Sequence, residues 1–256
     1  AEESEGGAER MVKAGVMENP HVDHVYGLHV MPRLPVGTVE TRRGTLNAST
    51  DSVTLVVHGL SGHGAYPESG RDAIVCAAQI ISALQTLVSR NLSPLSSAVL
   101  SIGKIEGGRA SNIICDEVTM KGTLRTANAE IRAMMKQRIN EVVSGVAQAM
   151  GCTADVRIKP GYNALVNDLN EAERVHQVGA RLFGAEHMLE KAEPSMGAED
   201  FSFFSDEAPG AFYHIGCVRE DELPAPPLHS RDFHIDERCM AVGMAMHVAM
   251  ALEVLG

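Results

Sequence analysis

In STDSVTLVVHG, from Ser49 to Gly59, apolar and polar positions alternate, which predicts a strand with one buried face. The pattern switches to a helical period over RDAIVCAAQIISALQTLVSR and returns to strand texture in SAVLSIGKIEGG and DEVTMKGTLRT. It becomes helical again in AEIRAMMKQRINEVVSGVAQAM and ends as a strand in CTADVRIKP. The order β-α-β-β-α-β is that of the split ferredoxin-like unit, a two-layer module able to bury its own core. It predicts four strands with both helices on one face, over residues 48–159.

The segments on either side have another texture. Before the module, GAERMVKAGVME predicts a short helix, and VDHVYGLHV and GTVETRRG predict strands joined by a turn over residues 32–37. After Pro160, NEAERVHQVGARLFG predicts a helix and GAFYHIGC a strand. The run from about Asp236 to Leu255 predicts a long helix whose most apolar part, CMAVGMAMHVAMAL, reads as buried. The fold class is therefore α/β, with residues 1–47 and 160–256 forming part of one domain around an inserted module. An α/β layer needs several strands covered on both faces, so these two segments are expected to be incomplete by themselves.

Hydrophobic residues make up 45% of the 256, enough for one large or two modest cores. The net charge of −11, from 33 acidic and 22 basic residues, argues against a partner with a phosphate backbone, so nucleic acid is not expected. Nor is a membrane, because the stretch Cys239–Leu252 is too short to span a bilayer and carries His247 in its middle. No charged stretch followed by an apolar run opens the sequence, so nothing in these residues directs export and a cytoplasmic location is expected. The five cysteines are odd in number, widely spaced and never paired as CxxC, which fits reduced thiols.

Candidate chemistry is dispersed along the chain. Taken singly, Glu2 and Glu3 read as solvated terminal charges, His29 as a strand-end histidine with a partner, and His229 as an exposed residue of a proline-rich loop. As a set, adjacent carboxylates and two imidazoles are donors suited to Zn²⁺ or Mn²⁺. Neighbouring carboxylates point different ways, so one can bind metal while the other takes a proton from water. In GLSGHGAYP, glycines 59, 62 and 64 let the backbone turn sharply around His63. Asn112 follows a glycine-rich turn in SNIIC, and Arg125 in GTLRT is of the type best shaped to grip a carboxylate.

Six motifs in order, AEESEGGAERMVKAGV, VDHVYGLHVMPRLPVGTVETRRG, SGHGAYPESGRDAI, SNIICDEVTMKGTLRT, PSMGAEDFSFF and APPLHSRDFHID, cover essentially the whole chain. Together they resemble the M20 metallopeptidases, in particular the amidohydrolase branch of N-acyl-amino-acid, hippurate and auxin-conjugate hydrolases. The resemblance implies part of an α/β catalytic domain with an inserted ferredoxin-like lid that also makes a homodimer. It implies a site with two divalent metal ions, Zn, Mn or Co, in which Glu2 is the general base and Glu3, His29 and His229 are metal ligands. His63 matches a lid histidine that stabilises the oxyanion in the partner's site, and Asn112 and Arg125 match residues that hold the substrate carboxylate. Glu199 and Asp200 match a loop beside the metals.

The implied substrate is a small N-acyl amino acid or peptide, cleaved at its amide bond. In that family the acidic pair lies well inside the chain, after a segment with further metal ligands. The resemblance therefore implies a fragment that is inactive alone. Ser61, Gly64 and Cys115 depart from the usual residues of the family beside working positions, and bear on loop geometry there. Two other readings stand beside this one: a dipeptidase or carboxypeptidase of the same fold, and a non-catalytic dimerisation or binding module.

Overall fold

A computed structural model describes residues 6–256. In chain order the elements are α1 (Gly7–Lys13), β1 (Val25–Pro35), β2 (Val39–Thr41), β3 (Gly44–Asn47), β4 (Ser49–His58), β5 (Gly62–His63), α2 (Ala73–Asn91), β6 (Ala98–Gly107) and β7 (Ile113–Ile114). There follow β8 (Glu117–Thr126), α3 (Ala129–Ala149), β9 (Thr153–Pro160), β10 (Leu165–Asn167), α4 (Leu169–Phe183), β11 (Met188–Glu190), α5 (Ser202–Ser205), β12 (Gly210–Val218) and α6 (Arg238–Leu255). They fall into two units. One is residues 48–164 with 196–198, and the other is the chain up to Asn47 with Leu165–Ser195 and Glu199–Gly256.

The first unit carries an antiparallel sheet in the order β6-β8-β4-β9, which is the strand order of the split ferredoxin-like arrangement. Val53, Leu55 and Val57 of β4 are buried at every second position and meet the helices in one core. The helices bring stripes at helical spacing, Cys76, Ile80, Leu84 and Leu87 from α2 and Met135, Ile139, Val143 and Ala147 from α3. Asp72 and Asn128 cap them, each side-chain oxygen accepting backbone N–H groups of the first turn.

The loop after β9 stays with this unit, so its edge falls at Ala164 where the pattern predicted 159. Main-chain bonds account for this: Gly161 donates to the Thr50 carbonyl at 2.9 Å, and Thr50 donates to that of Tyr162 at 3.0 Å.

The second unit holds a mixed sheet, β1-β12-β2-β11, and a small β10-β3 pair. β12 pairs in parallel with β1 and antiparallel with β2, and all nine of its residues are buried. Its Tyr213, Ile215 and Cys217 pack on one face with Val175 and Val178 of α4 and with Cys239, Met246 and Met250 of α6. On the other face Phe212 packs with Phe201, Leu46 and Leu165.

Three features here differ from the sequence pattern. α1 stops at Lys13, because Gly15 takes φ +84 and turns the chain away. β1 runs on through Pro35 and leaves only a tight turn, closed by a Thr38 N–H to Pro35 carbonyl bond at 3.2 Å. GTVETRRG divides into β2 and the start of β3, since Arg42 folds back to donate to the carbonyls of Thr45 at 2.9 Å and Lys191 at 2.7 Å.

α6 is also less buried than its composition predicted. Only Cys239, Gly243, Met246 and Met250 are fully covered, while Met240, Met244, Val248 and Leu252 form an exposed stripe on the side away from the sheet. By length and composition α2 and α6 are apolar enough to cross a membrane, yet each lays one face into the core of its own unit.

Asp51, on the buried side of β4, has a fully covered side chain held by Arg132 Nε at 2.8 Å and Lys136 Nζ at 2.7 Å. Removing one partner of a buried ion group strands the others. Asp51→Ala is expected to lower the stability of this unit by about 3 kcal/mol, read from its urea unfolding transition.

Candidate metal and substrate site

The parallel register of β1 and β12 sets His29 beside His214, with both side chains on the face that also carries Gly27 and Phe212. His29 Nδ1 lies 2.6 Å from the carbonyl oxygen of Val30. A carbonyl can only accept, so Nδ1 carries the proton and the ring's lone pair stands at Nε2. That is the arrangement in which a metal-binding imidazole is usually fixed.

His214 is buried and its Nδ1 lies 3.0 Å from Glu40 Oε2, while Arg33 donates to both Glu40 oxygens, from Nη1 at 2.9 Å. Burial alone would raise the Glu40 carboxyl, but the hydrogen bonds from His214 and Arg33 outweigh it and hold the pKa at about 2. Burial likewise pushes the His214 imidazole below its ordinary value, in spite of the carboxylate beside it. The pair is thus a neutral imidazole donating to a carboxylate.

His229 sits on the long loop between β12 and α6, exposed, with φ 64. Among the described residues it is the one non-glycine at positive φ. A β-carbon is strained there, and such strain concentrates where a side chain is held for use. An apolar cavity of about 680 Å³ opens between this loop and β1, lined by Met31, Pro32 and Arg33 on one side and Leu223, Pro224 and Leu228 on the other. Its walls therefore adjoin both His29 and His229 in sequence.

The Glu199–Phe201 loop packs on the same face of β1. A Cβ at Gly27 would meet Phe201 and Phe212 ring atoms at 2.7 Å, so only glycine lets the Phe201 ring lie this close. The neighbouring Asp200 is buried, and its Oδ2 accepts the Ala8 N–H at 2.9 Å.

In the other unit β5 pairs with β7, setting His63 opposite Ile113, and Gly64 N–H donates to the Asn112 carbonyl at 2.8 Å. His63 and Asn112 are thereby neighbours, both exposed. His63 Nδ1 accepts the Ala65 N–H at 3.1 Å. A ring nitrogen that accepts has no proton, so the neutral ring carries its N–H at Nε2. Arg125 lies near the far end of β8, where Nη1 donates to the Met196 carbonyl at 2.9 Å. From Glu117 to Arg125 the strand advances roughly 27 Å at 3.4 Å per residue, so within one chain Arg125 is remote from His63 and Asn112.

Glu2 and Glu3 lie outside the described residues. Among the described residues no three His, Cys, Asp or Glu side chains converge as a metal cluster. The sequence pattern missed the Arg33–Glu40–His214 chain. Its one signal was a histidine inside GAFYHIGC, a run otherwise apolar enough to be a fully buried strand.

The family model described as Peptidase family M20/M25/M40 matches residues 1–253. The chain is 36% identical over 259 residues to the IAA-amino acid hydrolase ILR1-like 4 of Arabidopsis thaliana, across 100% of this chain and 58% of that protein. It is 36% identical over 251 residues to the N-acetyldiaminopimelate deacetylase of Bacillus subtilis, across 97% of this chain and 64% of that one. The crystal structure of the Bacillus subtilis YxeP protein, described as a dinuclear metal binding peptidase from the M20 family, matches with a TM-score of 0.84 at 31% identity. That match covers 100% of this chain and 63% of the other. The chain spans about three-fifths of the length of the relatives it matches. With a match that runs through both units and nearly every residue, the chain belongs to Peptidase family M20/M25/M40.

Proposed function

We propose that the protein containing this chain hydrolyses the amide bond of N-acyl amino acids. The observation that carries the reading is the state of His63: the Ala65 N–H on Nδ1 leaves an exposed N–H donor at Nε2, which is what a developing oxyanion requires. Divalent cations, Zn, Mn or Co, held by Glu3, His29 and His229 with ligands from elsewhere in the protein, would polarise the scissile carbonyl and acidify water. The His29 ring fits that task, since its Nδ1–H is engaged with the Val30 carbonyl.

Glu2 takes the proton of the attacking water and delivers it to the amide nitrogen as the C–N bond breaks. A carboxylic acid and a free amino acid leave. His63 Nε2–H donates to the carbonyl oxygen as it becomes negative. Asn112 and Arg125 hold the substrate carboxylate, Arg125 through paired hydrogen bonds. Their separation within one chain favours a homodimer in which His63 and Asn112 serve the partner's substrate.

The following outcomes test this. His63→Ala in the full-length enzyme is expected to lower kcat by about 10²–10³. Mixing it with a Glu2→Gln variant is expected to restore up to about a quarter of wild-type turnover once subunits exchange in a two-fold dimer. No recovery despite proven exchange would remove the cross-subunit role.

Arg125→Ala is expected to erode the preference for a free acid over its methyl ester by about 2–5 kcal/mol, read from kcat/KM on both substrates. The 256 residues alone are expected to bind Zn²⁺ or Mn²⁺ weakly and to leave N-acetyl and N-benzoyl amino acids intact, because a two-metal site needs ligands on both sides. Two tight metals per chain by titration would overturn that. Dipeptides run in the same assay separate an acylase from a dipeptidase.

A further inference from the structure

We infer that the apolar cavity between β1 and the loop after β12 receives the acyl group of the substrate, and that this group is a hydrocarbon larger than acetyl. The inference deepens the reading of the protein as an N-acyl-amino-acid hydrolase and rests on it. Its evidence is where the cavity opens and what its walls offer. β1 keeps a regular register with β12 through Met31, which pairs with Gly216 as His29 pairs with His214. Two residues apart on one strand, Met31 and His29 stand on the same face, opposite to Leu28 and Val30, which pack with the core of α4 and α6. The facing wall is formed by Leu223, Pro224 and Leu228, the last of which directly precedes His229. The cavity thus continues outward from both candidate ligands of this unit.

The walls select the occupant. Among the described lining residues Arg33 is the one charged side chain, and both of its terminal nitrogens are committed to Glu40. Pro32, Pro224 and Pro227 have no backbone N–H to offer. A polar or charged group entering here would lose water with few donors to replace it, whereas a hydrocarbon gains by leaving water. At about 680 Å³ the space is of the size that ordinarily holds a small molecule. An N-acyl amino acid has two ends, and the residues read as gripping its carboxylate, Asn112 and Arg125, belong to the other unit. The acyl end is the one that remains for a cavity built within the unit of His29 and His229.

The test is a series of N-acetyl, N-butanoyl and N-hexanoyl derivatives of one amino acid, compared by kcat/KM in the full-length enzyme and in Ala225→Phe, whose ring would take up part of the cavity. In the wild type a rise of about fourfold per added methylene is expected up to hexanoyl. In Ala225→Phe the hexanoyl-to-acetyl ratio is expected to fall by about 10–100-fold.

A preference for acetyl, a series flat in chain length, or a ratio untouched by Ala225→Phe would overturn the inference and leave the amide-hydrolase reading standing. Wild-type turnover of no member of the series, repeated with several amino acids, would instead overturn that reading, and this inference with it. If Ala225→Phe does not fold by circular dichroism, Met31→Gln, which keeps the length of a wall residue and makes it polar, is read by the same ratio.

Discussion

Seven consecutive residue pairs, Val25 with Gly210 through Met31 with Gly216, hold β1 to β12 in parallel, and the candidate metal-binding unit is built outward from that ladder. The period of two along each strand makes the register decisive. A slip of β1 by one residue would turn His29 to the face packed on α4 and α6, and would bring Leu28 to the other. The correct register gathers Gly27, His29, Phe212 and His214 on one face, where the Phe201 ring meets Gly27 and Glu40 meets His214. The fully buried β12 makes the slip costly, since both of its faces already have tailored neighbours.

Hydrogen bonds then select which nitrogen each imidazole offers. The same residue type appears in two opposite states. At His29 a carbonyl claims the Nδ1 proton and leaves a lone pair at Nε2, suited to a cation. At His63 a backbone N–H claims the Nδ1 lone pair and leaves a proton at Nε2, suited to an anion. Neither assignment follows from the side chain itself. Each is imposed by one main-chain group, which is why the local backbone around GLH and SGHGA matters as much as the histidines in it.

Much of this was legible in the sequence. The alternation in β4 and the stripes of α2 and α3 are local periodicities that burial simply enforces, so the βαββαβ order could be read directly. The motifs around His29, His63, Asn112, Arg125 and His229 were legible as residue types in order. What escaped were effects between distant segments. β1 continues past Pro32 because β12 lies beside it. Asp200 meets Ala8 only once the chain has folded across 192 positions, and Glu40 meets His214 across 174. No periodicity carries that information.

The left-handed backbone at His229 has a consequence for how the loop can change. A residue with a β-carbon in that region costs roughly 1–2 kcal/mol relative to glycine, so the local conformation favours the very substitution that would delete the imidazole. Selection for stability and selection for the ring pull in opposite directions at this one position. A glycine there in a homologous chain would mark a loop without the imidazole, with the local backbone relaxed by the exchange.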